Sequence, residues 1–124
     1  MNELEIGWLA GLLEGEGYFA YGKVTQIVTL EMCDDDIVNK AAILIAKITG
    51  NVPEVSCRKR KEKNRNYTYQ FTLTGRNARA TMKSLVRYMG YRRRAQIWQA
   101  LNGYKTKKHE IDLLEMLGIS HESN

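Results

Sequence analysis

The sequence is short of most residues that mark the common chemistries. It has one proline, Pro53, in 124 residues, so it holds no proline-rich linker. Its two cysteines, Cys33 and Cys57, have no metal-ligand spacing and are expected as reduced thiols in a cytosol-like compartment. The two histidines, His109 and His121, have no partner four residues on and no cysteine nearby, which argues against a zinc site. Long apolar runs are missing too. Ile6 to Leu13 and Ala41 to Ala46 are far below the ~20 residues that cross a bilayer, so no membrane span is expected. The first residues carry Glu3 and Glu5 and no basic segment, so no secretory signal is read there. No G-x-x-x-x-G-K-[ST], no G-x-G-x-x-G and no Ser/His/Asp set occurs, and no small-molecule substrate is indicated.

What is present is a globular composition, 44% hydrophobic and 27% charged. The length fits one domain, residues 1–124, with a core over about 2–103 and a C-terminal helical tail over 104–124. The formal charge is +5, and it is polarised. Arg58 to Arg94 holds thirteen Lys and Arg against a single acid, Glu62, a net of +12; the remainder is −7. A basic half this lightly opposed points to a polyanion, nucleic acid first and an anionic membrane surface second.

The periodicity predicts a helix over residues 2–14. Leu4, Trp8 and Leu12 form one apolar face, and Ile6, Leu9 and Leu13 form another, so this helix is expected to pack on two sides. Gly7, Gly11 and Gly15 run along one edge, each weakening the helix by about 1 kcal/mol relative to alanine. That spacing suits close approach of another backbone. Strands are predicted over 17–23 and 24–33, joined by a turn near Gly22 and Lys23. In the second strand Val24, Gln26, Val28, Leu30 and Met32 are expected to face the core. Asp34, Asp35 and Asp36 start a helix that carries Ile37, Val38, Ala41, Leu44, Ile45 and Ile48 and stops at Gly50. Strands follow near 52–61 and 66–74, then helices near 77–89, 92–102 and 110–117. The order αββαββα with C-terminal helices predicts an α+β fold, with a mainly antiparallel sheet and helices on one face. The other sheet face is polar and invites a ligand.

The acids that stand out are Glu14 and Glu16, on either side of Gly15 at the end of the first helix. A carboxylate there is unfavourable with the helix dipole. A divalent cation would compensate it, and so would simple solvation. Leu9-Ala10-Gly11-Leu12-Leu13-Glu14-Gly15-Glu16-Gly17 resembles the LAGLIDADG motif, with five of nine letters identical and the rest conservative. Met32 to Asp36 and Met89 to Ile97 resemble two further stretches of the LAGLIDADG homing endonucleases, and the element order fits their saddle-shaped αββαββα fold.

The resemblance implies a site-specific endonuclease of a mobile genetic element that hydrolyses both strands of double-stranded DNA, encoded by an intron, an intein or a free-standing gene. One copy of the motif implies a homodimer. Its interface would take Gly7, Trp8, Gly11, Leu12 and Gly15. Glu16, at the eighth motif position, would be the metal ligand and catalytic acid, with the Gly15 carbonyl as a second ligand, while Glu14 would be structural. Glu16 stands where the family more often has Asp and keeps the charge on a longer arm. The cofactor would be Mg²⁺, or Mn²⁺ or Ca²⁺ in the same place. Arg92 and Arg93 would stabilise the transition state, and Asp34 would contact water.

The polar sheet face would read the DNA through Tyr18, Ala20, Gly22, Thr25, Ile27, Thr29, Glu31, Ser56, Arg58, Arg60, Thr68, Gln70 and Thr72, with Val55 and Cys57 turned inward. Arginine pairs with guanine and glutamine with adenine, each worth ~1–3 kcal/mol of discrimination. Lys61, Lys63, Arg65, Arg76, Arg79 and Lys83 would touch phosphates. A DNA-binding regulator without cleavage and an RNA maturase are the alternatives on the same scaffold. The expected place of action is the cytoplasm or nucleoid of a bacterial or phage host, or an organelle, and not the secreted space.

Overall fold

The computed structural model describes residues 1–59 and 67–103. Arg60, Lys61, Lys63 and Arg65, the tail 104–124 and its expected helix near 110–117 lie outside the described residues. The elements run α1 (Glu3–Glu16), β1 (Gly17–Tyr21), β2 (Gln26–Met32), α2 (Asp35–Thr49), β3 (Ser56–Lys59), β4 (Tyr67–Thr74), α3 (Gly75–Leu85), a 3-10 turn (Val86–Tyr88) and α4 (Tyr91–Leu101). This is the expected order αββαββα, with α4 following. Among the described residues, no helix is long and apolar enough to cross a membrane.

Helix α1 opens with a reciprocal cap. The Asn2 side chain accepts the Glu5 N–H at 2.8 Å, and the Glu5 carboxylate accepts the Asn2 N–H at 3.1 Å. The helix extends past Gly15 to Glu16 and passes straight into β1 at Gly17. Only glycine fits that junction, because a Cβ on residue 17 would lie 2.7 Å from the Leu13 carbonyl oxygen. Helix α2 ends at Gly50, whose φ of 82° is the left-handed conformation that closes a helix.

The four strands form one sheet in the order β1-β2-β4-β3, with every neighbouring pair antiparallel. One face carries Phe19, Val28, Leu30, Phe71 and Leu73, all buried. Against it lie Leu9 and Leu13 of α1, Val38, Ala41, Leu44 and Ile45 of α2, Met82 and Leu85 of α3, and Ile97 of α4. The 3.6-residue and two-residue patterns therefore meet in one core.

Several local expectations shift. Val24 is not a core residue; it is 81% exposed, because β2 starts only at Gln26. Gly22 and Thr25 belong to the turn and not to strands, with the Gly22 N–H donating to the Thr25 carbonyl at 2.7 Å. Cys57 keeps the inner face, opposite Tyr69, but is exposed there, since β3 is the edge strand; Val55 is partly buried against the core. Cys57 stands opposite Tyr69, and its proximity is the main cause that holds the Tyr69 hydroxyl above its ordinary pKa, ahead of burial. Tyr67, opposite Lys59 in the last described pair of β3 and β4, is likewise exposed.

Candidate active site and nucleic-acid interface

The motif-like segment supplies the last two turns of α1. Leu9, Ala10 and Leu13 go into the core, as their spacing requires. The opposite side of the helix is open. Gly7, Gly11 and Gly15 are exposed, and a Cβ on any of them would meet nothing within 4 Å in the protomer. Leu4, on the same side, is 86% exposed, while Trp8 and Leu12 are half-buried. The Lys40 ammonium stands over the Trp8 ring at 4.1 Å. Among the described residues, the glycine edge therefore approaches no other backbone within one protomer.

At the C-terminal end of α1, the Leu13 and Glu14 carbonyls find specific partners. The Gly17 N–H donates to the Leu13 carbonyl. Arg93 Nε donates to the Glu14 carbonyl at 2.8 Å, and Arg93 Nη1 donates to Gln96 at 2.9 Å. A guanidinium at this end also complements the helix dipole. Burial, the Arg92 charge next, lowers the pKa of Arg93, and Glu14 opposes the change. The Glu14 carboxylate accepts the Gly90 N–H at 2.7 Å, so it caps α4 from another element. The Gly15 carbonyl keeps no partner among the described residues.

Glu16 is exposed and makes no side-chain hydrogen bond or ion pair among the described residues. Its donor set with the Gly15 carbonyl is hard oxygen, which suits Mg²⁺ or Ca²⁺. One protomer brings no group of three or more His, Cys, Asp or Glu together among the described residues, so a cation here needs ligands from elsewhere. Arg92 is exposed. Asp34 is exposed at the start of α2, and its side chain makes no capping bond. Of the singled-out charged residues that are described, Arg93 is the one tied to the end of α1 from another element.

The face of the sheet away from the helices is built in cross-strand rows. Ala20, Ile27 and Thr74 form one; Tyr18, Thr29 and Thr72 form the next. Then come Glu31, Gln70 and Ser56, and finally Thr68 with Arg58. The Thr29 and Thr72 hydroxyls lie 3.3 Å apart. Alternation thus places Tyr18, Ala20, Ile27, Thr29, Glu31, Ser56, Arg58, Thr68, Gln70 and Thr72 on one face. Thr74 shares it and was missed, although one more step of the same alternation would have found it. Thr68 differs from the expected open contact: it is 4% exposed, with its hydroxyl on Glu31 at 2.7 Å. Arg79 also differs from the expected phosphate contact. It is half-buried and donates to Gln26 Oε1 at 3.0 Å, while Gln26 Nε2 donates to the Ala100 carbonyl at 3.2 Å. Arg76 and Lys83 are exposed on α3.

No protein-family model matches the chain, and no curated protein does. Solved structures do. The homing endonuclease I-CvuI in complex with the I-CreI target, in the presence of magnesium and with its DNA not cleaved, is similar with a TM-score of 0.50 at 16% identity, over 95% of this chain and 97% of that one. The same enzyme with its own target and calcium gives a TM-score of 0.49, also at 16% identity, over 94% and 96% of the two chains. The four-stranded antiparallel sheet with its helices on one side is therefore the homing endonuclease fold.

Proposed function

We propose that the chain is a site-specific double-stranded DNA homing endonuclease that acts as a homodimer and hydrolyses phosphodiester bonds with a divalent cation. The observation that carries this is the end of α1. Among the described residues, it combines an unpartnered acid, Glu16, an unpartnered carbonyl at Gly15 and an open glycine edge on one short segment. The similar solved structures are complexes of a homing endonuclease with DNA, in calcium or magnesium.

Two copies related by a two-fold axis along the glycine edges would bring two Glu16 carboxylates to a shared centre. Trp8 and Leu12 would flank the glycines in that interface. Glu16 and the Gly15 carbonyl would hold Mg²⁺, which supplies charge neutralisation at the scissile phosphate and a more acidic attacking water. Arg93 fixes the end of α1 through the Glu14 carbonyl, which leaves Arg92 as the freer cation to meet a phosphate. Asp34 is retained as the candidate that orders water. The open sheet face would enter the major groove, and the exposed Arg76 and Lys83 would meet phosphates.

The test uses supercoiled plasmid that carries the joined sequences flanking the gene, with and without Mg²⁺. A linear product that requires Mg²⁺ is the expected result. Retention of the plasmid without cutting would make the protein a DNA-binding regulator. Activity only in a protein-dependent splicing assay would make it a maturase.

A further inference from the structure

A carboxylate, that of Glu31, sits on the sheet face that would approach a polyanion. Glu31 of β2 stands opposite Gln70, one step from the pair formed by Thr68 of β4 and Arg58 of β3. Its Oε2 accepts from Arg58 Nη2 at 2.7 Å and from the Thr68 hydroxyl at 2.7 Å. Both are short, charge-assisted bonds. The Thr68 hydroxyl has one proton, and the Glu31 carboxylate takes it at 2.7 Å against 3.4 Å for the Arg58 carbonyl, so the buried threonine anchors the acid to β4. The Arg58 side chain itself stays 62% exposed and that of Glu31 31% exposed.

We propose that Glu31, anchored by Thr68, is a positioning residue that holds Arg58 to read a guanine. This rests on the proposed DNA-binding function of the face. A free arginine on an edge strand has many rotamers and loses that freedom on binding. A guanidinium is planar and carries five N–H groups, so one nitrogen can be held by Glu31 while the rest of the fork faces outward. In the major groove guanine offers two adjacent acceptors, N7 and O6, whereas adenine sets a donor beside its N7. A fork fixed in one plane meets the first pattern and clashes with the second. The acid, which would otherwise repel the backbone, is neutralised by the group it orients.

The test selects duplexes from a pool with a fully randomised target segment, in Ca²⁺ to hold them uncut, and sequences what the full-length protein retains. Wild type, Arg58→Ala, Glu31→Gln and Thr68→Val are compared, with thermal melts to confirm folding. Wild type should retain guanine at a position that Arg58→Ala alone turns indifferent. Glu31→Gln should weaken that same guanine preference by about five-fold or more, with the other positions unchanged. Thr68→Val should follow it; if that variant fails to fold, Glu31→Gln decides. If Glu31→Gln keeps the full guanine preference, or changes a different position, the proposal is overturned while the DNA-binding reading stands. If wild type retains no sequence above the starting pool, the reading falls and the proposal with it.

Discussion

The Glu14 carboxylate accepts the Gly90 N–H at 2.7 Å across 76 residues of chain. Gly90 precedes the first turn of α4, where backbone N–H groups lack helical partners. Glu14 therefore performs for α4 what the N3 acid of a capping box performs locally, accepting the N–H of the N-cap residue, and it joins the end of α1 to the start of α4. Arg93 returns the contact through the Glu14 carbonyl.

Glu14→Ala removes this cap and should cost about 1 kcal/mol of stability. Glu14→Gln keeps an accepting oxygen and should cost less. Urea unfolding of the two variants checks the order, and equal stabilities for both and wild type would show that the contact contributes nothing.

Glu16→Gln removes a charge that no described side chain uses. It should leave the melting temperature within a degree or two of wild type and cut the rate of plasmid cleavage by about a hundred-fold or more. DNA retention in a gel shift should persist. Cleavage at the wild-type rate would remove Glu16 from the catalytic assignment.

Gly11→Leu adds a side chain where the protomer has empty space. The better helix former should stabilise the isolated protomer by up to ~1 kcal/mol. In a dimer packed along the glycine edge, overpacking of ~1–3 kcal/mol should weaken association about ten-fold or more. Sedimentation at several concentrations reads the second effect. An unweakened dimer would place the interface on another surface.

Lys47 donates to Glu5 at 2.8 Å, and this hydrogen bond, ahead of the Asn2 N–H, holds the Glu5 carboxyl below its ordinary pKa. Because the folded pKa is the lower one, the stabilisation is complete above the unfolded value of about 4.3 and disappears as the pH falls through the folded value. Melting temperatures of Glu5→Gln and wild type should thus differ at pH 7 and converge in acid. A difference that persists unchanged to low pH would assign the effect to something other than this charge.

Gln26 links Arg79 of α3 to the Ala100 carbonyl of α4 from a site 7% exposed. Gln26→Leu keeps the volume but takes the acceptor from Arg79 and leaves the Ala100 carbonyl only the Gly103 N–H at 3.1 Å, and should cost about 1 kcal/mol. Hydrogen exchange should quicken at the C-terminal end of α4 first. Uniform exchange along the helix would show that the link is not local to that end.

The sequence alone determined the elements and the inner face of each. Alternation separated Val28 and Leu30 from Thr29 and Glu31, and helical spacing put Leu9 and Leu13 in the core, because burial rewards apolar area at a fixed local period. The motif-like letters also located the end of α1 and its acids. Tertiary structure decided what those periods do not encode. The pairing of β2 with β4 across α2 brought Glu31, Thr68 and Arg58 together and buried a threonine that alternation assigns to the open side. Folding α3 and α4 over the sheet turned Arg79 inward to Gln26 and set Arg93 on the Glu14 carbonyl. Periodicity gives a side chain its face, but its hydrogen-bond partner comes from another element, and the distance along the chain between the two carries no local signal.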